Sequence, residues 1–409
     1  MRRIRNQVAG LDVHRDSVTA CVKVFDPGGE RVSSQRFSTT GAGVRDLAAW
    51  LVAAEVELVV MEATGVYWKP VYYGLEDLVG EMWLVNAQHV KNVPGRKTDM
   101  SDAEWLADVA AHGMVRASFV PPVEVRAMRE LTRYRKTQID LRGSEIQRLE
   151  KVFQDAGIKL TSVASSIWSQ SSRAMVEALI GGETDPDVLA QLAKGRMRAK
   201  IPALIEAMEN RWRPHHSVVA RQILAHIDYL NTAIEALTRE IADRFDPFEA
   251  TASLWCTIPG VGRHTAQTMV AEIGTDLAKF PTDKHLTSWA GLAPGSHESA
   301  GKRRAVPTRP GSQHLKHALV EAARAAARTK NTFVGDRYRR IARRRGPNKA
   351  CVAIARSILV AAYHIARTGQ PYNDPGPGQP RHNPTPNNID RHITALTTAG
   401  YKVHLTPAA

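Results

Sequence analysis

Short apolar runs separated by turn signals dominate the first hundred positions. Val8–Val13 reads as a strand with Asp12 at its end, and Val18–Phe25 alternates as a second strand. Asp26-Pro27-Gly28-Gly29 is a turn leading to a third strand near Arg31–Ser38. Val44–Ala54 has helical spacing, and Leu58–Met61 is a continuous apolar run of the kind buried on both faces of a sheet. A helix over Trp68–Val79, a strand at Met82–Val85 and a helix over Ser101–His112 complete the segment. Three successive strands followed by alternating helix and strand is the element order of an α/β RNase H-like domain, which we place at residues 1–122.

The pattern then changes period. Val123–Asp155 is charged and partly periodic, and Ile223, Ile227, Leu230, Ile234, Leu237 and Ile241 repeat at alternating spacings of four and three. That is an a/d seam, which can pack on its own chain or zip to a second subunit. Residues 123–250 therefore read as a helical coiled-coil region. Pro247 ends it, and a mainly α domain occupies 251–368. From Gly369 the chain is rich in Pro, Asn and Gly and reads as an exposed, disordered tail over 369–409, with a helical turn near Ile389–Thr397. No apolar run is read as reaching the roughly 18 residues of a membrane span, and no signal core follows the basic N-terminus. Cys21, Cys256 and Cys351 lie far apart and form no CxxC pair, which argues against a zinc site and a disulfide framework and fits a reducing cytoplasm.

Charge narrows the class. The 409 residues carry a net +14, and Lys302 to Lys349 alone holds 15 basic and two acidic residues, a net +13. A solvated face usually mixes signs; a field this one-sided attracts a polyanion and releases its counterions. Lys316, Arg324, Arg328 and Arg337–Arg345 continue it on alanine-rich helical segments, as backbone contacts that set affinity rather than specificity.

Against that field stand four carboxylates. Asp12 ends the first strand and Glu62 follows the fourth, and these two strands are neighbours in an RNase H-like sheet. Asp99 and Asp102 are three apart at a helix start, on one face of its first turn. Each alone reads as a turn or cap residue. Together they repel one another unless hard divalent cations lie between them, and Mg²⁺ is the default for phosphate chemistry. The segments GLDVHRD (10–16), MEATGVYW (61–68) and KTDMSDAEWLAD (97–108) resemble the three acidic motifs of the DEDD-type insertion-sequence transposases, the IS-one-ten group, whose nuclease domain is RuvC-like. The resemblance places the family's metal-binding D, E, D, D on Asp12, Glu62, Asp99 and Asp102.

In the C-terminal domain, Ile258-Pro259-Gly260-Val261-Gly262 followed by a helix from Arg263 has the pattern of a helix-hairpin-helix. Its glycines would let backbone N–H groups approach a phosphate, and the following helix N-terminus adds a favourable dipole. The competing reading is an ordinary packing corner. Pro259, Gly260, Gly262 and Arg263 are the contact candidates. Further on, Ser299-Ala300-Gly301-Lys302-Arg303-Arg304 sets a hydroxyl on a turn beside three cations, with Arg309 nearby. A serine so placed can attack a phosphodiester while the cations stabilise the charge, although most loop serines are inert. The GLAP…S-(A/G)-G-K segment resembles the same family's transposase domain, whose nucleophile is a serine in this motif. That assigns the role to Ser299, with Ser296 three residues earlier as the alternative; many members have Ser-Gly-Gly where this chain has Ser-Ala-Gly.

The resemblance covers roughly residues 8–370. It implies transposition of an insertion element by Mg²⁺-dependent strand cleavage and exchange through a phosphoserine, a homo-oligomer (dimer or tetramer) acting on donor and target DNA in the cytoplasm, and guidance by a bridge RNA. Two rivals remain. A RuvC-like endonuclease using metal-activated water would leave Ser299 idle. A non-catalytic DNA-binding protein would leave the carboxylates without a purpose.

Overall fold

The computed structural model describes residues 3–87, 90, 102–295, 298–299, 302–303, 308, 311–378 and 386–404. The chain divides into two compact units, Met1–Val120 and Pro121–Ala409.

The first unit is built on a five-stranded sheet. Its strands are β1 (Gln7–Val13), β2 (Ser17–Asp26), β3 (Gly29–Ser38), β4 (Leu58–Glu62) and β5 (Glu81–Val85), in the order β3-β2-β1-β4-β5. The pairs β1–β2 and β2–β3 are antiparallel, whereas β4 runs parallel to both β1 and β5. This mixed sheet is compatible with an RNase H-like fold. Helices α1 (Gly41–Ala53) and α2 (Trp68–Leu75) cover one face, and α3 (Asp102–Ala111) covers the other. The period of two along the strands sorts the residues. Ala9, Leu11, Val59 and Met61 pack with Leu47, Leu51 and Leu75, while Val8, Leu58 and Val60 pack beneath Leu106, Val109 and Ala110 of α3. The second helix is shorter than its apolar pattern predicts. It stops at Leu75, and Val79 turns back, its N–H bonded to Leu75 O at 3.1 Å, to pack beneath the α1–α2 face.

In the second unit α4 (Val123–Asp155) is followed by four short helices, α5 (Leu160–Val163), α6 (Gln170–Ile180), α7 (Pro186–Gln191) and α8 (Ile201–Met208), and then by the long α9 (Pro214–Asp243). The a/d seam of α9 lies against α4 of the same chain. The pairing is antiparallel: Arg142 bonds Asn231 at 2.9 Å, His226 meets Glu145 at 3.1 Å and His216 meets Asp155 at 2.9 Å. Ile223, Ile227, Leu230 and Ile241 are buried in this way. Each contributes on the order of 1.5–3 kcal/mol by its burial. Four of the six seam residues are thus covered within the chain, and Ile234 and Leu237 are half-buried.

The remaining helices are α10 (Glu249–Trp255), α11 (Arg263–Ile273), α12 (Asp283–Trp289), α13 (Gln313–Ala327), α14 (Phe333–Arg345), α15 (Pro347–Thr368) and α16 (Pro386–Thr398), with a two-stranded ladder of β6 (Glu298–Ser299) and β7 (Lys302–Arg303). At 22 residues, α15 is long and apolar enough to cross a membrane, contrary to the expectation that no such run exists. The reason is internal: Ile354, Ile358, Leu359 and Ala362 are buried where α15 packs with α10, α12, α13 and α14. It is the core helix of this part of the unit. The first residues after Gly369 are exposed or half-buried and are bonded to earlier residues of the chain. Tyr372 N donates to Thr257 Oγ1 at 2.8 Å, and Asp374 Oδ1 accepts from Phe333 N at 2.9 Å and Gly376 N at 2.8 Å.

Candidate active site

The sheet register decides which side chains share a face. Leu11 pairs with Met61 in the parallel β1–β4 ladder, so Asp12 and Glu62 are the next residues along at the carboxyl ends of adjacent strands. Both continue the series Val8, Gly10 and Leu58, Val60, whose side faces α3. Helix α3 begins at Asp102. Asp12 and Glu62 are therefore placed on the side of the sheet that α3 covers, and Asp102 precedes Ala103, whose carbonyl lies over Gly10. Asp99 lies outside the described residues. Asp12 and Glu62 are half-buried, and Asp102 is exposed. His14 Nε2 lies 3.1 Å from Asp12 Oδ2, and Thr64 Oγ1 donates to Glu62 Oε1 at 3.3 Å. An open hollow of about 570 Å³ lies by the ends of β1 and β4, lined by His14, Arg15, Asp16, Arg36, Thr64 and Tyr67, with Arg15 paired to Asp16 at 3.7 Å. Asp12 and Glu62 themselves offer oxygen donors of the kind a divalent ion takes.

Two residues that sequence reasoning passed over hold this arrangement. Gly10 is one. A Cβ there would come within 1.9 Å of Ala103 O and 2.6 Å of Ala107 N, so α3 lies directly on β1 only because that position carries no side chain. The signal was present in the GLD segment, since residues 10 and 12 must share a face. Lys23 is the other. It is 2% exposed, on the β2 position paired with Val8, and its Nζ meets Glu30 at 2.9 Å, Glu104 at 3.5 Å and Asp108 at 3.7 Å. Burial depresses its ammonium, but the Glu30 hydrogen bond and the Asp108, Glu30 and Glu104 charges outweigh burial and leave it above the usual lysine value. Glu104 and Asp108 are one turn apart on α3, so Lys23 fixes the rotation of the helix that presents Asp102.

In the second unit the candidate serine lies in a strand rather than on a flexible turn. Ser299 pairs with Lys302, and Glu298 with Arg303, in the antiparallel β6–β7 ladder. Ser296, Arg304 and Arg309 lie outside the described residues. Leu292, before the ladder, is buried, and Thr308, after it, accepts a hydrogen bond from Lys316 Nζ at 2.7 Å. Gly311 packs on the turn after α12: a Cβ there would come within 2.4 Å of Gly291 N and 2.6 Å of Trp289 O.

The Pro259–Gly262 turn joins α10 to α11 as expected, but its glycines act differently from one another. Gly260 has φ +87°, and a Cβ there would meet Ala322 O at 2.3 Å and Ala326 N at 2.7 Å. It serves close packing against α13, which is the packing-corner alternative. Gly262 faces open space at the start of α11 and remains accessible to a phosphate, while Pro259 is half-buried. Arg263 is partly engaged: it pairs with Glu249, and its guanidinium lies 4.6 Å from the Phe245 ring centre. Arg324, Arg328, Arg339 and Arg343–Arg345 are exposed on α13 and α14, so the basic field faces outward.

Both parts of the chain match known proteins. A family model described as "Transposase", of the DEDD IS110 type, matches residues 9–158, and one described as "Transposase IS116/IS110/IS902 family" matches residues 252–339. The chain belongs to the IS110-type transposases. Relatives include "Transposase for insertion sequence element IS1111A" of Coxiella burnetii, 24% identical across 85% of this chain and 86% of that protein. "Probable family 20 transposase" of Pseudomonas aeruginosa is 25% identical across 73% and 80%, respectively. "Pilin gene-inverting protein" of Moraxella bovis is 31% identical over 126 residues, 30% of this chain and 38% of its own. As a transposase, the protein is an enzyme that acts on DNA in transposition and recombination.

A second group has metal-ligand spacing, formed by Asp155, His215 and His216 where α4 ends and α9 begins. Its hydrogen bonds give it another role. Arg213 N–H donates to His216 Nδ1 at 3.0 Å, so the ring proton is on Nε2 and points at Asp155 Oδ2. That bond, with the Arg213 charge nearby, holds the Asp155 carboxyl below its ordinary value. A metal at Nε2 would need the lone pair that this tautomer lacks. The group is a helix cap.

Proposed function

We propose that this transposase cleaves and rejoins DNA at a metal-dependent acidic site in its first unit, using Ser299 as the nucleophile. The observation that carries this reading is the common face of Asp12 and Glu62, at the ends of adjacent parallel strands beneath the helix that begins with Asp102. Asp12, Glu62, Asp99 and Asp102 supply oxygen donors of the kind Mg²⁺ takes, and the ion would neutralise charge developing on the scissile phosphate.

The residues of the chain would carry the steps. The Ser299 hydroxyl displaces one deoxyribose oxygen from phosphorus. A Ser Oγ–P bond forms, a P–O bond to sugar breaks, and the proton lost by serine ends on the leaving sugar oxygen. Attack by a strand-end hydroxyl reverses the step, restoring a phosphodiester and freeing the serine, so the bond energy is retained without ATP. Lys302, Arg303, Arg304 and Arg309 stabilise the phosphoryl charge. Gly262 and the start of α11, with Pro259, Gly260 and Arg263 forming the corner, position DNA without reading its sequence. Because serine and carboxylates lie in separate units, we include a homo-oligomer in the proposal, together with a bridge RNA that selects donor and target.

The test is incubation of the protein with its element's end DNA, Mg²⁺ and co-expressed RNA, followed by a denaturing gel. A protein–DNA adduct lost in Ser299→Ala and in Asp12→Ala supports the reading. Cleavage without adduct, unchanged in Ser299→Ala, replaces it with hydrolysis by metal-activated water.

A further inference from the structure

A hollow of about 310 Å³ opens in the second unit between α4, α11 and α13. Arg135 lines it and is 4% exposed; its Nη1 donates to Gln267 Oε1 at 3.1 Å. Burial lowers its guanidinium below the ordinary arginine value, and among the described residues no carboxylate charge offsets it. The neighbouring cations differ. Arg133 is held by Glu272 at 2.7 Å and 2.8 Å, and Lys136 by Asp140 at 2.5 Å. A buried charge is normally paired, so an arginine compensated only by a neutral amide calls for an anion from outside.

The walls suit such an anion. His264, Thr265 and Thr268 come from the first two turns of α11, and His314 and His317 from those of α13. Two helices thus begin at the hollow, and their N-terminal dipole ends favour negative charge there. His264 and His314 are both held below the usual histidine value, by desolvation first and then by the Arg135 and Arg133 charges respectively. Their surroundings are already cationic at neutral pH. Two carboxylates also lie on the walls, Asp140, which is taken up by Lys136, and Glu321, which is exposed.

We propose that this hollow binds a phosphate, and that its occupant is a backbone phosphate of the DNA on which the transposase acts. The proposal rests on the reading that the second unit handles DNA. The site adjoins the helix that follows the Gly262 corner, and a hollow of this volume takes a phosphate and its sugars rather than a base pair. Arg135, Thr268 and the two helix starts would hold the strand by its backbone, independent of sequence.

The test uses the full chain and a duplex of arbitrary sequence, with binding followed by fluorescence anisotropy from 50 to 300 mM salt. Arg135→Met keeps the shape and removes the charge. Losing one phosphate contact lowers the slope of log K against log salt by about 0.9. The wild-type advantage over the variant then shrinks about 3.5-fold between 50 and 200 mM. The thermal midpoint of the unliganded variant is expected to equal or exceed that of wild type, because an uncompensated charge has gone. Should Arg135→Met melt early, Thr268→Val decides, with binding several-fold weaker at every salt concentration. An unchanged slope in a folded Arg135→Met overturns the proposal and leaves the functional reading intact, whereas a wild-type protein that binds no duplex at all sinks both. Loss of slope on an RNA hairpin but not on the duplex overturns the DNA assignment. So does a midpoint raised by millimolar inorganic phosphate with the duplex slope unaffected.

Discussion

Gly10→Ala adds one methyl group where α3 crosses β1. Within a strand, alanine is favoured over glycine by roughly 0.5–1 kcal/mol, so strand preference alone would make the variant more stable. The packing reverses that sign. The new Cβ would lie 1.9 Å from Ala103 O, and reaching ordinary contact near 3.4 Å requires the helix backbone to retreat by about 1.5 Å. The atoms in the way are backbone, which no rotamer change can relieve. Overpacking of this kind costs about 1–3 kcal/mol. The functional effect should be larger, because Asp102 is the first residue of the displaced helix, next to Ala103. A misplacement of about 1 Å at a reacting site costs on the order of 100-fold in rate. The expected variant is folded, melts several degrees lower, binds DNA as wild type does and cleaves it about 100-fold more slowly. Urea denaturation and single-turnover cleavage at saturating Mg²⁺ measure the two effects. A variant as stable as wild type with undiminished cleavage would refute the placement of α3 on the acidic edge.

Lys23→Met should leave Glu30, Glu104 and Asp108 without their common partner. With the lysine buried and the carboxylates partly exposed, the loss is expected at roughly 2–4 kcal/mol in urea denaturation, and a loss under 1 kcal/mol would contradict the network. Gly260→Ala, with φ +87° and backbone atoms of α13 at 2.3 Å and 2.7 Å, should cost roughly 2–4 kcal/mol. Gly262→Ala, which meets nothing, should leave stability unchanged, and equal melting of the two variants would refute the division of labour in that corner. Burial pushes Glu272 up, but the Arg133 hydrogen bonds, with the Arg133 and Arg129 charges and Ser312, hold it below the usual carboxylate value. Its contribution is therefore fully present above the unfolded glutamate value near 4.3 and is lost as pH falls through the lower folded value. Denaturation from pH 7 to 3 should show the advantage of wild type over Glu272→Gln shrinking in acid; a constant difference would be the wrong sign of linkage.

Strand periods, the Asp26–Gly29 turn and the long helices were legible because each is fixed by local pattern. That the strands of Asp12 and Glu62 are neighbours followed from recognising the element sequence, and β1 and β4 are adjacent in the sheet. What stayed hidden depends on contacts between distant segments. Gly10, Gly260 and Gly311 look alike in sequence, yet each is required by a different backbone lying against it. Lys23 sits in an alternating strand where a lysine reads as solvent-facing; only the acidic pair Glu104 and Asp108 on α3 accounts for its burial. The seam of α9 reads equally well for a partner chain, and nothing in its local pattern reveals that α4 lies against it. Arg135 was one basic residue among many in a charged helix, and nothing local marks it as the buried one bonded to Gln267.

The central claim is that a divalent ion binds among Asp12, Glu62 and Asp102. The most direct measurement is to substitute Fe²⁺ for Mg²⁺ in the full chain with its end DNA, add ascorbate and peroxide, and map backbone cuts by mass spectrometry. Cuts near residues 10–14, 60–64 and 99–103, abolished by Asp12→Asn and suppressed by excess Mg²⁺, are the expected result. Cuts that persist in Asp12→Asn, or that fall around Asp155 and His215 instead, would contradict it.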